Sequence, residues 1–76
     1  MKKIDIYTSE SCSYCYAAKE YFKQKNISYM EHNITKDTAS RKELINMGYR
    51  SVPLIIIGEE RVVGFDKDKI ENLLRG

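Results

Sequence analysis

The chain has 76 residues, a formal net charge of +2 at pH 7 and two cysteines. This length suits one domain, residues 1–76, and leaves no room for a second. Lys and Arg are scattered among Asp and Glu, so the sequence lacks the basic stripe that is typical of nucleic-acid-binding proteins. No apolar segment approaches the roughly 20 residues that span a membrane. We therefore expect a soluble protein, and a monomer, that binds neither nucleic acid nor membrane.

Alternating apolar and polar residues at positions 3–8 predict a first strand. Helical spacing follows at positions 13–25. Asn26 is expected to end this helix, because asparagine tolerates the left-handed conformation found after a helix C-terminus. Residues 27–33 alternate again and predict a second strand.

The second half of the chain predicts one helix and then a hairpin. Residues 35–38 offer several N-caps for a second helix, which Gly48 is expected to close. Residues 53–57 form a continuous apolar run, which is typical of a central strand buried on both faces. A hairpin turn is predicted at 58–60 and the returning strand at 61–63.

Asp66 is a good N-cap for a last helix, in which Ile70, Leu73 and Leu74 have helical spacing. The predicted order is therefore β-α-β-α-β-β-α. Its strand–helix–strand start favours a parallel pair with a right-handed crossover, and the late hairpin adds antiparallel strands. We predict an α/β fold with a mixed four-stranded sheet flanked by three helices.

Both cysteines, Cys12 and Cys15, lie in the stretch SCSYCY. A disulfide between them closes a very short loop, so its chain-entropy contribution to stability is small. Secreted disulfide frameworks usually contain four or more cysteines. We therefore predict a reducing compartment, the cytoplasm, where close thiol pairs are catalytic or metal-binding.

The thiol pair is predicted to lie where the first strand has ended and the first helix begins. The first amides of a helix have no partner inside it and carry partial positive charge. Cys12 is expected among these amides, and Cys15 one turn later on the face that is turned towards the sheet. Because the thiolate is the reactive form, Cys12 is the predicted nucleophile and Cys15 the predicted resolving thiol.

Two further segments have both a structural and a functional interpretation. Val52-Pro53 is either an ordinary strand start or a cis peptide, which would let the backbone of Val52 pair with a peptide-like substrate. Val63-Gly64-Phe65-Asp66 is either a turn with an N-cap or an anion site, at which helix amides bind a carboxylate. In the second case Asp66 would face an ammonium group.

In this order and spacing, the segments Tyr7–Cys15, Gly48–Pro53 and Val62–Asp66 resemble the glutaredoxins, small thiol–disulfide oxidoreductases with the thioredoxin fold. The resemblance covers nearly the whole chain. It implies that Cys12 attacks a glutathione mixed disulfide and that a second glutathione or Cys15 then releases it. It further implies no bound cofactor, glutathione as co-substrate, and disulfide-containing or glutathionylated proteins as partners.

The resemblance also assigns residues to glutathione. Tyr14 would lie beside the reactive sulfur, and Val52 would hold the peptide backbone of glutathione. Amides at the start of the last helix, with the Asp66 side chain, would take the γ-glutamyl end. Arg41 and Arg50 are two candidates for binding the glycine carboxylate. The implied glutathione-binding residues are Tyr14, Arg41, Arg50, Val52, Pro53, Gly64, Phe65 and Asp66.

Several positions depart from the family pattern. Ser13 stands where many members have proline, and Ser9-Glu10 stands where many carry a lysine. The carboxylate of Glu10 would raise the pKa of a neighbouring thiol and oppose the helix N-terminus. Val63-Gly64 replaces a common double glycine. With these departures, the chain partly resembles the glutaredoxin-like proteins that donate electrons to ribonucleotide reductase and are recharged by thioredoxin reductase.

A metal carrier that uses the cysteine pair is a third alternative. One histidine and two cysteines fall short of the four ligands of a structural zinc site, although a dimer would supply two pairs. We predict no metal site.

Overall fold

The sheet and helices follow the predicted order. The computed structural model describes residues 3–75. Its elements are β1 Ile4–Thr8, α1 Ser13–Gln24, β2 Met30–Asn33, α2 Thr38–Asn46, β3 Leu54–Ile57, β4 Glu60–Val63 and α3 Lys67–Arg75. The strands form one sheet in the order β2-β1-β3-β4, in which β1 and β2 are parallel and the other pairs antiparallel. This is the predicted thioredoxin-like arrangement. No helix among residues 3–75 has the length and apolar character needed to cross a membrane.

Helices cover both faces of the sheet. Helices α1 and α3 pack on one face, where they contribute Ala18, Tyr21, Phe22 and Ile70 to a buried cluster. Helix α2 packs on the other face, where Leu44 lies against Tyr7 and Leu54. The central strands β1 and β3 are therefore buried on both sides, as the continuous apolar run of β3 predicts.

The end of α1 confirms the role of Asn26 and corrects the start of the second strand. Asn26 has a positive φ of 57°. The N–H of Ile27 donates to the carbonyl of Phe22 at 2.9 Å, which completes a Schellman motif. Because the N–H of Ile27 belongs to this helix end, the predicted strand at 27–33 is too long, and β2 begins only at Met30.

Helix α2 is closed in the same way. Asp37 is its N-cap, with Oδ1 accepting the N–H of Ala39 at 3.1 Å. Gly48 has a φ of +90°, and the N–H of Tyr49 donates to the carbonyl of Leu44 at 3.2 Å. The predicted helix end at Gly48 is confirmed.

The hairpin has a tighter turn than predicted. Strand β3 begins at Leu54, because the nitrogen of Pro53 has no hydrogen to donate to a strand partner. Ile57 pairs with Glu60, so the turn contains two residues and β4 begins one residue earlier than predicted. Gly58, with a φ of +62°, occupies the first turn position.

Candidate active site

The side chain of Cys12 caps the N-terminus of α1. Its backbone is extended, with φ −98° and ψ 108°, and its Sγ accepts the N–H of Cys15 at 3.1 Å. Ser, Thr, Asp and Asn usually supply such a cap through an oxygen. A hydrogen bond to an ionised acceptor is stronger than one to a neutral acceptor. The cap position therefore favours the thiolate form of Cys12 when the protein is reduced.

Cys15 lies one turn further along α1 and is fully buried, with 0% of its surface exposed. Cys12 is only partly buried. The two cysteines are joined by a disulfide, and their Cα atoms are 5.3 Å apart, within the usual range. An incoming disulfide can therefore reach Cys12 from solvent, whereas Cys15 can reach only Cys12.

The Val52–Pro53 peptide is cis and lies beside the cysteine pair. The Sγ of Cys12 is 3.6 Å from the carbonyl oxygen of Val52. In the reduced protein, a protonated Cys12 would have this oxygen as an acceptor. The contact therefore favours the thiol and opposes the effect of the Cys15 amide.

The segment that begins at Gly64 completes the same region. The N–H of Gly64 donates to the carbonyl of Pro53 at 2.8 Å. Gly64 has a φ of +83°, and a Cβ built on it meets no heavy atom within 4 Å. Glycine is needed here for its backbone conformation, since L side chains avoid this region. The structure thus brings the three sequence features together: the cysteine pair, the cis peptide and the loop before α3.

Asp66 caps α3, as predicted. Its Oδ1 accepts the N–H of Lys69 at 3.3 Å, and the residue is exposed. The ring of Phe65 packs against the core and meets the ring of Tyr21 edge-on, with 5.7 Å between the centroids. The ring of Phe65 is therefore partly buried against the core.

The remaining predicted residues are exposed. Tyr14 lies in the first turn of α1 and is 67% exposed. Arg41 lies in α2, and Arg50 lies in the loop two residues before Val52. Within residues 3–75 neither guanidinium has a hydrogen bond or an ion pair, so both are free to bind a carboxylate.

Sequence reasoning missed the residues that support the active-site loop. Thr8, at the end of β1, is buried and donates to Glu31 at 2.7 Å. Lys19 donates to the same carboxylate at 2.9 Å. Burial acts to raise the pKa of Glu31, but its bonds to Lys19 and Thr8 outweigh burial and lower it. The bond to Glu31 raises the pKa of Lys19 in return.

Glu10 is also held by residues from elsewhere in the chain. The hydroxyl of Thr35 accepts its N–H, and Lys36 pairs with its carboxylate at 3.4 Å. These partners lie about 25 residues away, so no local pattern points to them. The ion pair with Lys36 opposes the predicted effect of the Glu10 carboxylate on the thiol.

The described residues hold no cluster of side chains suited to a metal, and a groove among them lies away from the cysteines. No group of three or more His, Cys, Asp or Glu side chains within residues 3–75 is arranged to bind a metal. A groove of about 450 Å³ lies elsewhere, lined by Tyr21, Lys25, Ile27, Glu71, Leu74 and Arg75. No predicted site residue lines it. Thiol–disulfide exchange needs an accessible sulfur, which the partly buried Cys12 supplies.

Known proteins share both the sequence and this arrangement. The glutaredoxin family model matches residues 4–62. A glutaredoxin-like protein of 8.6 kDa from the rubredoxin operon of Clostridium pasteurianum is 38% identical over 72 residues, which cover 93% of this chain and 96% of the relative. Glutaredoxin 3 of Escherichia coli is 37% identical over 67 residues, covering 87% and 81% of the two chains.

Solved structures agree with the sequence comparison. The crystal structure of the thioredoxin-like protein BC3987 superposes with a TM-score of 0.86 at 36% identity, over 93% of this chain and 99% of that one. The glutaredoxin-like NrdH-redoxin of Escherichia coli superposes with a TM-score of 0.83 at 28% identity, over 93% of each chain. The chain belongs to the glutaredoxin family. It is a thiol–disulfide oxidoreductase with a thioredoxin-like fold.

Proposed function

We propose that this protein is a cytoplasmic, monomeric, glutathione-linked oxidoreductase that reduces protein disulfides and glutathione mixed disulfides. The observation that carries the proposal is the position of Cys12. Its Sγ lies at the open N-terminus of α1, 3.1 Å from the Cys15 amide and 3.6 Å from the Val52 carbonyl. A nucleophilic sulfur beside the backbone of the partly buried Val52 suits a disulfide that carries a peptide chain.

The exchange proceeds by two displacements at sulfur. The thiolate of Cys12 attacks one sulfur of the substrate disulfide, so that a new S–S bond forms and the old one breaks. The leaving thiolate takes a proton from solvent. A second thiolate, from glutathione or from Cys15, then attacks the mixed disulfide and regenerates Cys12 or forms the Cys12–Cys15 disulfide. Two electrons pass to the substrate, and glutathione restores the reduced pair.

In this proposal, each segment near Cys12 binds one part of glutathione. Val52 pairs with the peptide backbone of glutathione, with Tyr14 alongside. The amides before α3 and the free oxygen of Asp66 take the γ-glutamyl zwitterion. Arg41 or Arg50 takes the glycine carboxylate, since both guanidinium groups are free among the described residues. The identity with glutaredoxin 3 supports this assignment.

A second candidate function is recharging by thioredoxin reductase in place of glutathione, with ribonucleotide reductase as the acceptor. It is favoured by the likeness to NrdH, which is 28% identical over 71 residues, covering 93% of this chain. The solved NrdH-redoxin is described as having a thioredoxin-like activity profile. The presence of Val63-Gly64 in place of two glycines also favours this second candidate.

A paired donor assay separates the two functions. The protein is supplied with NADPH, an excess of a protein disulfide as electron acceptor, and either glutathione plus glutathione reductase or thioredoxin reductase alone, and NADPH oxidation is followed. We expect turnover with the glutathione system, and the Cys12→Ser variant gives the background rate. Turnover only with thioredoxin reductase would overturn the glutathione link and support the second candidate.

A further inference from the structure

Glu10, two residues before the reactive cysteine, is held by three contacts. Its carbonyl accepts the hydroxyl of Tyr16 at 3.2 Å, and its N–H donates to the hydroxyl of Thr35 at 3.1 Å. Its carboxylate pairs with Lys36 at 3.4 Å. Backbone and side chain of one exposed loop residue are thus fixed by α1 on one side and by the β2–α2 connection on the other.

Glu10 lies inside the turn that presents Cys12. The turn is closed by a hydrogen bond from the N–H of Cys12 to the carbonyl of Ser9, which at 3.4 Å is long. A turn closed by one weak bond does not fix the position of the sulfur by itself. The two bonds to the backbone of Glu10 supply the missing constraint.

The β2–α2 connection is itself a rigid support. The side-chain oxygen of Asn33 accepts the N–H groups of Thr35 at 2.9 Å and Lys36 at 3.3 Å. The N–H of Ile34 donates to the carbonyl of Thr8 at 2.8 Å. The segment 33–36 is therefore held at the end of β1 by hydrogen bonds that do not involve Glu10.

We propose that this segment and the Tyr16 hydroxyl position Cys12 for thiol–disulfide exchange, and that Lys36 neutralises the one carboxylate in the loop before it. Thr35, Tyr16 and Lys36 are positioning residues, because they act through Glu10. The inference rests on the proposed role of Cys12 as nucleophile, but is independent of which molecule restores the reduced pair.

Two physical effects connect these contacts to the reactivity of the thiol. Fixing the turn keeps the Sγ of Cys12 within hydrogen-bond distance of the Cys15 amide, which stabilises the thiolate. Pairing Glu10 with Lys36 offsets part of a negative charge that would destabilise the same thiolate. The ammonium of Lys19 also lies 4.7 Å from the centre of the Tyr16 ring, and it is paired with Glu31 at 2.9 Å.

The test measures the pH dependence of iodoacetamide alkylation in a Cys15→Ser background, where only Cys12 reacts. We expect Thr35→Val and Tyr16→Phe to slow alkylation at pH 7 by roughly two- to fivefold, the size expected from losing a weak polar contact. Thr35→Ser keeps the hydroxyl and should restore the original profile. If Thr35→Ser restores the pH profile, the effect of Thr35→Val comes from the lost hydroxyl bond and not from altered packing.

The charge effect is tested by a double-mutant cycle. Lys36→Met should raise the apparent pKa of Cys12, and Glu10→Gln should lower it or leave it unchanged. In the Glu10→Gln protein, Lys36→Met should have a smaller effect, because Lys36 then has no Glu10 carboxylate to hold it beside the loop. Lys42→Met is the matched control, since Lys42 is an exposed lysine of α2.

Unchanged pH profiles in both Thr35→Val and Lys36→Met would overturn the proposal. So would an effect of Lys36→Met that is undiminished in the Glu10→Gln protein. A profile in which Cys12 is unreactive in every variant, including the Cys15→Ser parent, would instead contradict the proposed nucleophile.

Discussion

At the scale of single residues, the chemistry depends on a balance around one sulfur. The amide of Cys15 favours the thiolate of Cys12, and the carbonyl of Val52 favours the thiol. The amide is one of the N–H groups at the start of α1 that have no partner within the helix, whereas the carbonyl is a single acceptor at a longer distance. We therefore expect the thiolate to prevail and Cys12 to react first.

Replacing each cysteine separates their roles. Cys12→Ser should abolish reduction of every substrate, because no other thiol is exposed. Cys15→Ser should keep reduction of glutathione mixed disulfides, where free glutathione releases the product, but lose reduction of protein disulfides by the two-thiol route. Rates on a glutathionylated peptide and on a protein disulfide give the comparison. Residual activity of Cys12→Ser above background would contradict this mechanism.

The sequence predicts the cysteine roles because both follow from local spacing. A cap position and a residue one turn later have different exposure on any amphipathic helix, and the structure shows a partly buried Cys12 and a buried Cys15. The support from Thr35 and Lys36 cannot be predicted in this way. It exists only because the parallel pairing of β1 with β2 brings the two following loops together.

At the scale of elements, two of the three helices include a residue in the left-handed conformation at their C-terminal end. Asn26 follows α1 and Gly48 follows α2. In both cases the next residue, Ile27 or Tyr49, packs against the buried cluster that contains its helix. These motifs therefore end the helices and direct the chain back to the sheet.

The cap at Gly48 gives a stability prediction. Gly48→Ala should lower the free energy of unfolding by about 1 kcal/mol, because an L side chain is disfavoured at a φ of +90°. A Cβ there meets no heavy atom within 4 Å, so the loss is conformational and not steric. Gly48→Asn should lose less, since asparagine tolerates this region. Equal losses in urea denaturation would contradict the explanation.

The elements that the sequence predicts well are those with local end signals. Asn26, Gly48 and Asp66 mark helix ends that the structure confirms. The second strand is predicted too long because Ile27 fits the alternation of apolar and polar residues. Its N–H, however, is hydrogen-bonded to the end of α1. An alternation pattern does not show whether an N–H is already paired, so strand starts next to a helix end are predicted poorly.

At the scale of the whole molecule, Tyr7 connects the sheet to α2. It is buried in β1, its hydroxyl donates to Glu43 at 3.1 Å, and its ring stacks on His32 at 4.7 Å. His32 in turn contacts Asp5 at 3.0 Å. Burial, with the bond to Glu43, raises the pKa of Tyr7 to about 12.

The raised pKa of Tyr7 predicts a loss of stability in alkali. Below pH 10 the tyrosine is neutral in both folded and unfolded chains. Between pH 10 and 12 the unfolded chain loses this proton and the folded one keeps it, so stability falls as the pH rises. The contribution of Tyr7 is roughly 2 kcal/mol. In Tyr7→Phe, urea denaturation at pH 8 to 11.5 should show a shallower decline; an unchanged slope would contradict the assignment.

The central claim is that Cys12, at the opening of α1, is the acidic and reactive thiol of the pair. The direct test compares alkylation rates against pH for two single-cysteine proteins, Cys15→Ser and Cys12→Ser. Cys12 should alkylate with an apparent pKa well below the usual 8.5 of a free thiol, and Cys15 should react slowly throughout. A faster, more acidic Cys15 would contradict the account.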